Sequence, residues 1–160
     1  MKKILIYSAA LLATTFLIFP NYASAKNNNG SVTHIDGNTQ FPHSRWRIVR
    51  YTFELHVPQN SMAVSQLIIS VPDNVSVSNN IKNIDVVDEK EHKINTNVSV
   101  NGRTILLAFP ETVAPNTKFY IDLKNVKRPT ISRNSIYRLS VKIVGSNAEI
   151  PIGVAEFHTY

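Results

Sequence analysis

Between residues 49 and 57 the chain alternates without a break. Val49, Tyr51, Phe53, Leu55 and Val57 are apolar, and Arg50, Thr52, Glu54 and His56 between them are polar. Successive side chains on a strand point to opposite faces, whereas a helix brings residues three and four apart together. A helix would scatter this apolar set around its circumference. The run therefore reads as a strand with one face in a core and the other in water. Pro58 ends it, because proline has no N–H to give to a ladder.

The same period recurs along the chain. Residues 65–71 carry Leu67, Ile69 and Val71 before Pro72. Residues 81–87 precede a charged turn. Residues 119–126 alternate Phe119, Ile121 and Leu123 with Tyr120, Asp122 and Lys124. Residues 136–144 place Tyr137, Leu139, Val141 and Ile143 on one side and Arg138, Ser140 and Lys142 on the other, and residues 152–160 close the chain. No stretch beyond residue 45 has a helical period, and there is no internal repeat or second domain. Seven or eight short strands separated by polar turns predict an immunoglobulin-like antiparallel β-sandwich over residues 45–160. Its expected core contains Val49, Phe53, Leu55, Leu67, Ile69, Val98, Ile105, Leu107, Phe119, Ile121, Leu123, Leu139, Val141 and Phe157.

The segment INTNVSVNGRTILLAF, residues 94–109, contains Asn101-Gly102 between two apolar-patterned arms. As the centre of a two-residue type I′ turn, this pair sets a hairpin register. Val100 is then expected opposite Arg103, Val98 opposite Ile105, and Ile94 opposite Phe109.

The amino end directs the chain out of the cytoplasm. Met1-Lys2-Lys3 precedes an apolar run from Ile4 to Phe19, and Ala23-Ser24-Ala25 follows. A positive start, an apolar middle and an Ala-x-Ala end form a secretory signal peptide, expected to be cleaved after Ala25. Residues 26–44, with Asn27-Asn28-Asn29-Gly30, hold few apolar groups and read as a flexible leader. Loss of Lys2 and Lys3 leaves fifteen basic against eleven acidic residues, so the net charge falls from +6 to +4. Such mild basicity suits contact with an anionic wall, sheath or membrane surface. The chain has no cysteine, which excludes disulfides, thiolate metal sites and a lipidated cysteine.

The ordered segments YTFELHVP, SQLIISVPDNVSV, VNGRTILLAF, VAPNTKFYIDLKNVKRP, SIYRLSVKIVGS and PIGVAEFHTY resemble a family of small exported cyanobacterial proteins, domain of unknown function 2808. The resemblance covers about residues 45 to 160. The family often has Pro-Gly where this chain has Pro115-Asn116, and Asn also tolerates positive φ. The resemblance implies export and a β-rich domain. It brings no catalytic residues, so none are carried over.

Several groups of residues are candidate sites. HSRWRIVRYTFELHV, residues 43–57, mixes arginines with aromatics, but Tyr51 and Phe53 face the expected core rather than a basic stacking groove, and export removes nucleic acid as a partner. Arg45, Trp46 and Arg47 lead into the strand. Trp46 has no obvious core position; it either staples the leader to the sandwich or anchors a partner. Residues 85–92, DVVDEKEH, offer Asp85, Asp88, Glu89, Glu91 and His92, oxygen-rich as Ca²⁺ requires, but without EF-hand spacing, and Lys90 and Lys93 oppose them. They read as a charged tip. His34, His43, His56, His92 and His158 are scattered in sequence, with no H-E-x-x-H motif and no G-x-S-x-G elbow. Neither a catalytic residue, a cofactor nor a metal site is therefore expected. Residues 124–135 are the most basic run, through Lys124, Lys127, Arg128 and Arg133; the alternatives are a solvated loop or an electrostatic contact. These four residues, with Trp46 and Arg47, are the candidate partner contacts.

The expected function is that of a non-catalytic interaction module in the periplasm, on the cell surface or outside the cell. Its partner would be a protein or an anionic envelope polymer. A carbohydrate-binding module is the first alternative, with Trp46, Tyr120 and Tyr137 as possible stacking residues. A small hydrolase is the second, which needs histidine and carboxylate groups brought together by folding.

Overall fold

The computed structural model describes residues 31–43, 46–128 and 134–158. The expected signal peptide and the start of the leader lie outside the described residues. Among the described residues there are nine strands: β1 (His34–Phe41), β2 (Ile48–Val57), β3 (Val64–Ser70), β4 (Ile84–Asp88), β5 (Asn97–Asn101), β6 (Thr104–Val113), β7 (Thr117–Lys127), β8 (Ser135–Ile143) and β9 (Ile150–Phe157). They build two antiparallel sheets, one in the order β1-β2-β7-β4 and one in the order β5-β6-β3-β8-β9. This is the immunoglobulin-like sandwich expected from the alternation, with nine strands instead of seven or eight.

The extra strand comes from the segment assigned to the leader. Residues 34–41 pair with β2 along its length, from His34 opposite His56 to Phe41 opposite Arg50. The sandwich therefore begins before residue 45. Low apolar content hid β1, because an edge strand with a solvated outer face needs few apolar residues. At the other discrepancy, the strand expected over residues 81–87 starts later. Ile81–Asn83 form a 3₁₀ turn capped by the Asn80 side chain, and β4 follows.

The β5–β6 hairpin forms, but its register differs from expectation. Asn101 pairs with Thr104, Val100 with Ile105 and Val98 with Leu107. The turn is centred on Gly102 and Arg103, with Gly102 at φ +57°. A first central residue at positive φ is the type II′ requirement, which glycine meets without a steric penalty. The partner strand is thus displaced by two residues, an even number, which leaves every side chain on its expected face. The displacement also removes the one mismatch, since Val100 meets Ile105 instead of Arg103. Ile94 does not face Phe109; its N–H bonds the Val86 carbonyl at 2.9 Å, joining β4.

The two inner faces meet in one core. Tyr51, Phe53, Leu55, Phe119, Ile121 and Leu123 come from one sheet, and Leu67, Ile69, Ile105, Leu107, Tyr137 and Leu139 from the other, all fully buried. Phe157 stacks on Tyr51 at 3.9 Å between ring centroids, and Phe53 and Tyr137 meet it edge-on. Each such side chain stabilises the fold by roughly 1.5–3 kcal/mol. Val98, expected in the core, is half-buried and packs against it from edge strand β5.

The flanks are closed as well. On one side β1 lies against β9, where Asn38 Nδ2 donates to the Glu156 carbonyl at 2.8 Å. Gly153 on β9 has φ +142°, and a Cβ there would stand 3.4 Å from Ile35 Cδ1. On the other side, Val87 bridges Lys93 and the 3₁₀ turn packs on β5. Among the described residues no helix is long and apolar enough to cross a membrane.

Candidate functional site

The open end of β2 carries the most conspicuous surface. Ile48 begins β2 one residue before the first inward side chain, Val49, so it faces outward. Phe41 ends β1 on the same outer face, and Trp46 lies in the connection between them. Phe41, Trp46 and Ile48 are 61%, 67% and 50% exposed. The Arg50 guanidinium carbon sits 5.6 Å from the centre of the Phe41 ring, a cation–π arrangement. Three large apolar groups and an arginine thus share one hairpin tip.

Two of the sequence candidates join this tip through the backbone. Ile48 pairs with Lys127 in the β2–β7 register. The Arg128 N–H donates to the Arg47 carbonyl at 2.8 Å, and Lys127 exchanges two backbone hydrogen bonds with Ser76, at 2.9 and 3.0 Å. Trp46, Arg47, Lys127 and Arg128 therefore converge on one end of the sandwich, although residues 47 and 127 are far apart in sequence. Arg133 lies outside the described residues.

Arg128 and Lys124 do not behave as members of a solvated basic run. Arg128 is only 5% exposed. It lies close enough to Tyr51 for its charge, with the Ser135 hydroxyl, to offset part of the upward shift that burial imposes on the Tyr51 phenol. It is a structural cation at the core's edge and not a ready contact. The cause is a bulge in β7 at Lys124 and Asn125, with Asn125 at φ +55°: it shifts the alternation by one residue, so that Val126 and Arg128 turn inward and Lys127 outward. Lys124 faces the outer side of β7 and bonds Asp85 Oδ2 at 2.5 Å, away from the tip. That hydrogen bond, above all, holds the Asp85 carboxyl below its ordinary range, with Lys93 assisting and burial opposing.

A shallow groove of about 650 Å³ opens beside Lys127 and Arg128. Its polar rim is formed by Asp73, Asn74, Ser76, Asn79 and Arg103. Arg103 is already committed, because its guanidinium donates to the carbonyls of Pro72 and Asp73. The acidic tip at residues 85–92 is likewise committed. Asp88 Oδ1 accepts the N–H groups of Lys90 and His92, both at 2.8 Å, and closes the turn. These backbone bonds, that of His92 first, lower the Asp88 pKa.

The three aromatic candidates for sugar stacking separate. Tyr137 is fully buried and leaves the set. Tyr120 is half-buried on the outer face opposite Glu54. It lies seven residues from Lys127 on β7, about 23 Å at strand rise, so it shares no platform with Trp46.

The five histidines are not all scattered. His34 and His56 are direct cross-strand partners on β1 and β2, with ring centroids 5.2 Å apart. Asp36 joins them: His34 Nε2 lies 2.9 Å from its Oδ1. Sequence reasoning missed this group because His34 was placed in the leader. Period two in HIDGNTQF offered no signal, because the register shift at Asp36 puts Asn38 and Gln40 opposite the inward Phe53 and Tyr51, on the other face from His34.

The family profile described as "Protein of unknown function (DUF2808)" matches residues 31–155. The chain belongs to the DUF2808 family. The match begins near β1 and so includes the strand that composition concealed. No curated protein sequence matches this DUF2808 chain. Its fold is similar to that of BslA, a bacterial hydrophobin, with a TM-score of 0.56 at 12% identity, over 82% of this chain and 95% of that one. It is also similar to the N-terminal domain of the Streptococcus gordonii adhesin Sgo0707, with a TM-score of 0.50 at 11% identity. That match covers 83% of this chain and 33% of the other. At these identities the DUF2808 domain shares a fold with those proteins, and its surface has to be read on its own terms.

Proposed function

We propose that this DUF2808 chain is an exported, non-catalytic interaction module that docks on a protein or anionic polymer of the cell envelope. The hairpin tip carries the reading. Phe41, Trp46 and Ile48 are exposed together, flanked by Arg47, Arg50 and Lys127. Tryptophan and arginine are the residues that most often dominate binding energy at interfaces. At one flank β1 and β9 lie against each other, with Asn38 bonded to the Glu156 carbonyl, so strand addition there is less open than surface docking at the tip. Two fold neighbours, a hydrophobin and an adhesin domain by their names, fit an envelope role without determining one. The Ala-x-Ala segment supports export.

Trp46 is the sole tryptophan of the chain, so its fluorescence reports directly on the tip. Mixing the purified protein with isolated envelopes of the producing cells is expected to shift Trp46 emission to the blue and to retain the protein. Retention should fall steeply as salt rises past about 0.15 M, where charges are screened within about 8 Å. A Trp46→Ala, Arg47→Ala double variant should lose retention, and Lys90→Ala, at the far end of the sandwich, should keep it. Equal retention of the double variant and the parent would refute the assignment of the tip.

Carbohydrate binding is the second reading, favoured by the exposure of Trp46 beside Phe41. Soluble envelope oligosaccharides that shift the same emission and compete for retention would identify a sugar as the partner.

A further inference from the structure

The His34–Asp36–His56 group lies on the outer face of the β1-β2-β7-β4 sheet, about 27 Å along β2 from Ile48 by strand rise. It is therefore separate from the hairpin tip. His34 and His56 face each other across the β1–β2 ladder. The register shifts between Ile35 and Gly37, so Asp36 is the extra residue of a β-bulge. In an unbroken ladder Asp36 would stand opposite Glu54, carboxylate against carboxylate. The bulge places Gly37 there instead and leaves Asp36 beside the imidazoles. Bulges often re-aim a side chain in this way next to functional sites.

One donor atom from each of the three residues lies within 4.8 Å of the others. The His34 Nδ1 is 3.0 Å from the Val32 carbonyl, which can only accept, so Nδ1 carries a proton. Its Nε2 is the atom turned toward Asp36 Oδ1, 2.9 Å away. Metal-binding histidines usually have this arrangement, with one nitrogen donating to a carbonyl and the other facing the ion. Two ligands each about 2.0–2.1 Å from one ion stand about 3 Å apart, and two imidazoles on it place their centroids about 5 Å apart. The observed separations are 2.9 Å and 5.2 Å. Lys118, opposite His56 on β7, donates to Asp36 Oδ2 at 3.1 Å. It holds the carboxylate with Oδ1 toward the histidines, while its charge weakens the attraction for a cation.

We propose that His34, Asp36 and His56 bind a divalent transition-metal ion of the Zn²⁺ class. Two imidazoles and one carboxylate suit such an ion and disfavour Ca²⁺ and Mg²⁺, which take oxygen ligands. Three ligands from the chain leave a coordination position for water or for a donor from a partner. The ion would also rivet edge strand β1 to β2.

The test is a titration of the purified, chelator-stripped protein with Zn²⁺ by calorimetry, and with Co²⁺ by visible absorption. One Zn²⁺ per chain is expected, with Co²⁺ d–d bands of a four- or five-coordinate site and no competition from millimolar Ca²⁺. His56→Ala and Asp36→Asn should each weaken binding about tenfold or more, while His92→Ala leaves it unchanged. His56 and Asp36 face solvent, and thermal unfolding checks that both variants stay folded. Zn²⁺ should raise the melting temperature of the parent and not of His56→Ala. Absence of saturable binding, or equal affinity in parent, His56→Ala and Asp36→Asn, overturns the proposal; in that case His34 and Asp36 form a simple ion pair.

Discussion

Replacing Tyr137 by phenylalanine tests how the core is assembled. Tyr137 is fully buried between the sheets, and its hydroxyl meets no hydrogen-bond partner among the described residues. A buried polar group left unsatisfied costs about 1–3 kcal/mol. Deleting one oxygen forfeits a few van der Waals contacts at about 0.1–0.2 kcal/mol each, roughly 0.5–1 kcal/mol together. The difference predicts that Tyr137→Phe stabilises the protein by about 1 kcal/mol, or raises its melting temperature by about 4 °C. A second consequence appears in alkali. Burial raises the Tyr137 pKa above its ordinary value, with the nearby Tyr51 adding to the effect. The neutral phenol is therefore retained in the folded state while the unfolded chain ionises above pH 10 or so. Stability contributed by this group is present below that pH and is lost as pH rises. For Tyr137 the slope of this loss approaches about 1.4 kcal/mol per pH unit once the pH is well above 10, and burial raises the Tyr51 pKa in the same direction. Denaturant unfolding at intervals between pH 9 and 11 measures both effects. Tyr137→Phe should shift the midpoint upward at pH 7 and make the alkaline slope shallower. A variant destabilised by more than about 1 kcal/mol, with an unchanged slope, would refute the reasoning, since the hydroxyl would then be bonded and ionising within the fold.

Other outcomes follow from the same coordinates. Gly153→Ala should lower stability by about 1–3 kcal/mol in denaturant titration, because φ +142° strains a side-chain-bearing residue. Hydrogen exchange should localise the resulting loosening to the β1–β9 flank. The depressed pKa of Asp85 stabilises the protein above the unfolded value near 3.8 and ceases to do so as pH falls through the lower folded value. Asp85→Asn should therefore flatten the acid arm of the stability profile below pH 4, and an unaltered arm would assign acid sensitivity elsewhere. Terminal sequencing of protein recovered outside the cytoplasm should begin at Lys26; a chain starting at Met1 would contradict cleavage.

Strand identity was legible wherever one face had to be apolar. β2 and β8 alternate so regularly, and β7 as far as Leu123, that inward residues from Tyr51 to Tyr137 could be named from the sequence; of the residues expected in the core only Val98 is half-buried, while others such as Val64, Val86 and Val126 join it in the structure. The physical reason is local: a pleated strand projects its side chains with period two, and burial of one face imprints that period on the sequence. β1 was illegible because an edge strand shares the sheet's burial with its neighbour and needs no apolar stripe of its own. The hairpin register was half legible. Gly102 marked the turn, but whether glycine takes its first or second central position depends on the pairing of the arms.

The sites depended on tertiary structure almost entirely. The sequence by itself determined an all-β sandwich and the outward direction of Arg50 and His56, and its Ala-x-Ala segment carries the expectation of export. Only the folded chain brought Lys127 beside Ile48, turned Arg128 into the core's edge, tied Lys124 to Asp85, and set His34 across from His56 with Asp36 in the bulge between. Cross-strand neighbours are separated by whatever loop joins them, so no spacing along the chain encodes their contact. Period two decides which way a side chain points, and strand pairing decides what it meets.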